Sequence, residues 1–149
     1  FYRVVVIEKE RARNGRSLEV VGHYNPLTEP AQVVLKHDRL EYWTGSGKTK
    51  FSGNVDKAYF KVNAGAGGYE CSGQTDYLYI YNCGGAKIDC SGMPAIDVLA
   101  VTASNNDVML NCTYNLVAEI RRTGNIFYTG NPLQVKRIGN GSGELINGE

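Results

Sequence analysis

The sequence predicts an all-β chain: a right-handed parallel β-helix of about five coils of about 20 residues each, entered through a β-rich N-terminal segment. Three observations predict it. Glycine is abundant, at 18 of 149 residues, while proline is scarce at 4, as expected of many tight turns between strands. The turn signals recur on a period: Ser52-Gly53, Ser72-Gly73 and Ser91-Gly92 follow one another at steps of about 20 residues. Thr129-Gly130 lies two further such steps on, with Asn111-Cys112-Thr113 near the intermediate position. Between the turns, the side chains alternate with the period of a strand.

A second series of turns interleaves with the first. It runs Gly45-Ser46-Gly47, Gly65-Ala66-Gly67, Gly84-Gly85, Asn105-Asn106, Gly124-Asn125 and Gly141-Ser142-Gly143. Two turns per period imply two short strands per coil, each coil too small to bury a face without its neighbours. The alternation places Ala58, Phe60 and Val62 inward against Tyr59, Lys61 and Asn63, and Leu78 and Ile80 inward against Tyr77, Tyr79 and Tyr81. The same reading sets Leu99, Val101 and Ala103 against Ala100, Thr102 and Ser104, and Leu116, Ala118 and Ile120 against Val117, Glu119 and Arg121. A sandwich would share the alternation but not a turn register held over five or six periods.

Residues 1–45 have a different character. Residues 1–50 carry 9 Lys+Arg and 6 Asp+Glu, a net +3, whereas residues 51–149 carry 7 and 9, a net −2. Phe1 to Val6 reads as a strand, and Arg11-Ala12-Arg13-Asn14-Gly15-Arg16 as a basic turn around an Asn-Gly corner. Leu18 to Tyr24 reads as a second strand stopped by Asn25-Pro26, and Val33-Val34-Leu35 as a third. Asp38 is placed to cap a short helix carrying Leu40, Tyr42 and Trp43.

Two family resemblances follow, one for each part. The stretch from Ser46 to Ile146 resembles the GIN-domain, auto-transporter adhesin head family. The resemblance rests on Phe51-Ser52-Gly53-Asn54-Val55-Asp56-Lys57, Gly124-Asn125-Ile126-Phe127-Tyr128-Thr129-Gly130-Asn131-Pro132 and Gly141-Ser142-Gly143-Glu144-Leu145-Ile146. It implies a right-handed β-helix at the cell surface or in the periplasm. Residues 1–45 resemble the bacterial small-subunit ribosomal protein sixteen family. Here the matching residues are Phe1 to Val6, Ala12 to Arg16, Val21-Gly22-His23-Tyr24-Asn25-Pro26-Leu27, Asp38-Arg39 and Tyr42-Trp43. After Trp43 the helical ending of that family gives way to Gly45-Ser46-Gly47 and the repeats. This second resemblance implies that Arg11, Arg13 and Arg16 contact ribosomal RNA phosphates, in the cytoplasm and on the ribosome. The alternative for three arginines in a hairpin turn is plain solvation. Such a pairing of segments reads as a natural fusion or as a chimeric or designed sequence. The chain opens at Phe1 without a charged-then-apolar leader, and so reads as a processed or truncated product.

Little else in the sequence carries chemistry. The near-neutral balance argues against a wholly basic nucleic-acid binder, and no apolar run is long enough to span a membrane. Gly45-Ser46-Gly47-Lys48-Thr49 imitates the end of a phosphate-binding loop, but Tyr42 stands where the first glycine belongs and a strand is expected where the helix should start. His23 and His37 have no partner at ligand or catalytic spacing. Asp56, Asp76 and Asp97 recur at similar points of successive coils, where turn-capping is favoured over calcium.

Cys71 and Cys90, one period apart, are expected on adjacent coils, as small buried fillers or as a disulfide; Cys83 and Cys112 fall elsewhere in the coil. Without a C-x-x-C pair, no zinc site is expected. Tyr77, Tyr79 and Tyr81, with Tyr59 one coil earlier, form an outward row. That row binds a protein or glycan partner, or lies under the N-terminal segment acting as a cap. No cofactor, metal or catalytic residue is expected, and an oligomer is open. Two function classes remain. One is a non-enzymatic surface β-helix of adhesin-head type; the other is a ribosomal RNA-binding protein carried by the first segment.

Overall fold

The computed structural model describes the backbone of residues 2–6, 19–25, 27, 31–35, 39–44 and 47–149, and the side chains of Leu27, Glu41 and residues 47–149. The described residues contain eleven strands and no helix. In chain order the strands are β1 (Tyr2–Val6), β2 (Glu19–Asn25), β3 (Ala31–Leu35), β4 (Arg39–Thr44), β5 (Lys48–Val62) and β6 (Gly68–Asn82). They continue with β7 (Lys87–Thr102), β8 (Val108–Ile120), β9 (Ile126–Thr129), β10 (Gln134–Ile138) and β11 (Leu145–Asn147).

From β5 onward every pairing is parallel and each coil stacks on the one before, which makes a β-solenoid of about five turns. The register opposes Lys48 to Gly68, Gly68 to Lys87, Ile88 to Val108, Val108 to Ile126 and Ile126 to Leu145. The turn spacing legible in the sequence is therefore the coil length.

Each full coil is written by one long strand rather than two short ones. β6 has 15 residues, which would reach about 50 Å if straight. The coil closes only because the strand bends. In β6 the alternation of burial breaks at Ser72–Gln74, where Gly73 takes a φ of +120°, while pairing with the preceding coil continues through Ser52↔Ser72 and Gly53↔Gly73. Two strands per coil appear at the ends of the stack. β3 and β4 cover the two halves of β5, and β9 and β10 cover the two halves of β8. The second turn series forms the remaining corner, tied from coil to coil by Gly85 N–H to Gly65 O (2.6 Å), Gly124 N–H to Ser104 O (3.0 Å) and Gly143 N–H to Arg122 O (3.0 Å).

The core is a set of inward ladders. Phe60, Ile80, Ala100 and Ala118 stack in register, as do Ala58, Leu78, Val98 and Leu116, and all eight are buried. One of the four inward faces read from the sequence is reversed. Val98, Ala100, Thr102 and Ser104 are buried, while Leu99 is half-buried on the outside; Val101, read as inward, is buried too, although it lies outside the main core cluster. Side-chain size favours Leu99 over Ala100 as core, but the register opposes Leu99 to outward Tyr79 and Ala100 to buried Ile80. A neighbour's register outweighs the hydrophobicity of any one residue when strands stack in parallel. Thr102 and Ser104 are tolerated inside because their hydroxyls are used: Ser104 Oγ donates to Gly84 O at 2.6 Å, and Thr102 Oγ1 accepts from Ser104 N–H at 3.4 Å. Buried Asn82 likewise holds its corner by donating Nδ2–H to Ala86 O at 2.8 Å.

The N-terminal segment joins the same sheet. β1 and β2 pair antiparallel, β2 and β3 pair antiparallel, and β3 then runs parallel to the start of β5. The helix expected after Asp38 is not formed. Residues 39–44 are β4, parallel to Lys57–Val62 from Arg39↔Lys57 to Thr44↔Val62. The open edge of β5 offers a row of backbone donors and acceptors, and a segment with two adjacent aromatics, Tyr42 and Trp43, suits a strand on that edge better than one turn of helix.

At the far end β10 is exposed throughout, with Leu133, Val135 and Ile138 open to solvent. Arg137 folds over this end, its Nη2 donating to Gly141 O (2.8 Å) and Gly143 O (3.0 Å). Among the described residues no helix is long and apolar enough to cross a membrane.

Candidate functional site

The outward face of the second half of each coil gathers the aromatic residues. Three ladders run along it. The central one is Glu41, Tyr59, Tyr79, Leu99, Val117 and Lys136. On one side of it run Lys57, Tyr77, Asp97 and Asn115; on the other run Lys61, Tyr81, Val101 and Glu119. Strand alternation puts these positions outward wherever the intervening residues fill the core.

The rings of this face touch. Tyr59 lies with its centroid 5.8 Å from that of Tyr77 and 6.0 Å from that of Tyr79, both tilted. Lys61 Nζ sits 5.7 Å from the Tyr79 centroid and 2.9 Å from Glu41 Oε1, so one ammonium bridges an aromatic face and a carboxylate on the preceding strand. All four tyrosines are half-buried. Burial, followed by the neighbouring Tyr59, Tyr79 and Asp97, holds the Tyr77 phenol above its ordinary range. A hydrogen bond with Cys83 is the main cause of a similar rise at Tyr81. Two coils on, Arg121 Nε donates to Glu119 Oε1 at 2.7 Å. The result is an apolar, aromatic band bordered by paired charges, able to take a flat apolar surface such as a sugar ring or a partner's side chains.

Leu99 belongs to this band and was missed by the alternation reading, although stepping one coil on from Tyr79 finds it; Val101, one coil on from Tyr81, is buried. The three aspartates do not form one stack. Asp97 pairs with Tyr77, whereas Asp56 and Asp76 are exposed one residue before that ladder and line a groove of about 340 Å³ with Asn54 and Gln74. A one-residue offset in strand position separates them. Lys48 and Thr49 begin β5 and so stand on a strand.

Cys71, Cys90 and Cys112 are buried and Cys83 is exposed, all four as free thiols. Arg11, Arg13, Arg16 and His37 lie outside the described residues, and of His23 the backbone places it in β2, opposite Arg3 and Val34.

Comparison with known proteins bears on the N-terminal part. The family model for Ribosomal protein S16 matches residues 1–49. The small ribosomal subunit protein bS16 of Acidobacterium capsulatum is 72% identical over 47 residues, which are 32% of this chain and 57% of that protein. The bS16 of Koribacter versatilis is 54% identical over 63 residues, 42% of this chain and 74% of that protein. That of Helicobacter acinonychis is 46% identical over 57 residues, 38% and 74% of the two chains. The chain thus spans between about half and three-quarters of the length of these relatives. No solved structure matches it. Through its N-terminal third, the chain belongs to the ribosomal protein S16 family.

Proposed function

We propose that this chain is a non-enzymatic RNA-contacting protein. Its S16-type segment attaches to small-subunit ribosomal RNA, and its β-solenoid extends that segment as a rigid arm in the cytoplasm. The observation that carries the reading is the 72% identity over 47 residues to a protein of the small ribosomal subunit. The family match takes in Arg11, Arg13 and Arg16. Guanidinium forks at a glycine turn are suited to phosphate oxygens, which position a protein on RNA without reading its sequence.

The pairing of β3 and β4 with the two halves of β5 supports a second role for the segment, as the cap of the first coil. Filter binding to small-subunit ribosomal RNA tests the attachment. Affinity is expected to fall by at least about tenfold between about 50 and 200 mM salt, and the R11A/R13A/R16A variant to bind more weakly with a shallower salt dependence. Binding that ignores salt, or that the triple variant leaves unchanged, contradicts the reading.

A second reading is favoured by the tyrosine band. Tyr59, Tyr77, Tyr79 and Tyr81, continued by Leu99, form a face to which a glycan or a protein partner binds, as in an adhesin head at the cell surface or in the periplasm. Replacing Tyr77, Tyr79 and Tyr81 by Ser separates binding from support of the fold. A stable variant that no longer captures a glycan or cell-surface ligand held by the parent supports this reading. An unfolded variant assigns the rings to the fold.

A further inference from the structure

One inward ladder differs in chemistry from its neighbours. It runs Phe51, Cys71, Cys90, Leu110 and Tyr128, so that the two cysteines are consecutive rungs of an otherwise apolar stack. The side-chain contact between them places them there. Glu70 opposes Asp89, and the pairing slips by one residue before Ser72 meets Gly92, so Cys71 faces Cys90 and Ser91 at the slip, and its thiol hydrogen-bonds with that of Cys90. Cys71 is 2% exposed and Cys90 0%. Adjacent strands of a sheet are about 4.8 Å apart, inside the Cα separations that disulfides span. The other two cysteines have different neighbours: Cys112 opposes Ala95 and donates its thiol to Ile96 O at 3.5 Å, while Cys83 sits at an exposed corner.

We propose that Cys71 and Cys90 are a redox-modification site, forming a disulfide between the second and third coils when the chain meets a small-molecule disulfide such as oxidised glutathione. The Cys71 thiolate attacks one sulfur of the glutathione disulfide, forming a mixed disulfide and releasing one glutathione thiolate. The Cys90 thiolate then attacks the Cys71 sulfur, closing the Cys71–Cys90 bond and releasing the second glutathione. Two protein thiols are oxidised, one external disulfide is reduced, and the two cysteine protons pass to the released glutathiones through solvent.

Burial sets the timing. It pushes the Cys71 thiol well above the usual range, with the adjoining Cys90 thiol adding to the effect, so the folded pair is neither nucleophilic nor reachable. Exchange therefore takes place while the coils form or open. Once made, the bond encloses residues 72–89, one complete coil, and is shielded from reductant by the same packing. The solenoid would carry a covalent record of the redox conditions under which it folded.

The full chain, refolded in glutathione buffers from fully reduced to fully oxidised and then alkylated under denaturing conditions, provides the test. Peptide mass analysis is expected to find a Cys71–Cys90 cross-link in the oxidised samples, with Cys83 and Cys112 alkylated. The midpoint of thermal unfolding is expected to be higher in the oxidised form by roughly 5–10 °C. The C83A/C112A variant should keep both the cross-link and the shift. Alkylation of both Cys71 and Cys90 in the oxidised samples, or a cross-link that pairs either with Cys83 or Cys112, overturns the proposal.

Discussion

Gly73 sits at the corner between the two halves of a coil with φ of +120°, a conformation that side chains of L-residues rarely adopt. A Cβ there would also run into the carbonyl of Gly53 on the preceding coil. The G73A variant is expected to lose about 2 kcal/mol or more, seen as a fall of roughly 4–8 °C in the thermal midpoint by circular dichroism. Gly92 is the comparison: it repeats the sequence motif but lacks the positive φ, and its change to Ala should cost less.

Burial holds both the Cys71 thiol and the Tyr77 phenol above their ordinary ranges, with Cys90 next in effect on the first and Tyr59, Tyr79 and Asp97 on the second. The folded state thus binds these protons more tightly than the unfolded chain does. Their contribution to stability is full below the unfolded values, about 8.5 for a thiol and about 10 for a phenol, and is lost as pH rises through the folded ones. In reductant, the thermal midpoint should be flat from about pH 6 to 8 and decline above about pH 9; a midpoint that rises across the alkaline range would refute the assignment.

Within each strand, the register decides which side chains carry stability. Leu110 is buried on the cysteine ladder, whereas Leu99, the same residue type, stands half-buried on the outward band. Leu110→Ala is expected to cost about 2–5 kcal/mol and Leu99→Ala about 1 kcal/mol or less in denaturant unfolding; equal costs would mean the register is wrong. The same contrast marks the limit of what was legible in the sequence. The Ser-Gly and Gly-Gly spacings gave the coil length, and alternation gave the inward faces around Phe60, Ile80 and Ala118. Alternation alone could not choose between the two faces of 98–104, because Val98, Ala100, Thr102 and Ser104 are no more apolar than Leu99, Val101 and Ala103. Only the neighbouring coil breaks that tie. The strand at Arg39–Thr44 escaped for a related reason: Asp38 offers a local helix cap, but the edge of β5 supplies six pairing positions that no local signal announces.

For the molecule as a whole, a basic S16-type segment and a slightly acidic solenoid share one sheet, ordered β1-β2-β3-β5-β6-β7-β8-β9-β11, with β4 on β5 and β10 on β8. The tyrosine row was legible as outward, and its extension by Leu99 was not. The proposed RNA contact at Arg11, Arg13 and Arg16 was legible only through the family resemblance, since phosphate binding requires charge and reach but no buried pattern. Competition tests the RNA attachment: the full chain is titrated against labelled small-subunit ribosomal RNA already bound by Acidobacterium capsulatum bS16, at about 100 mM salt. The chain is expected to displace the relative from a common site, and R11A/R13A/R16A to do so poorly. Simultaneous binding of both proteins, or no displacement at any concentration, would contradict the attachment.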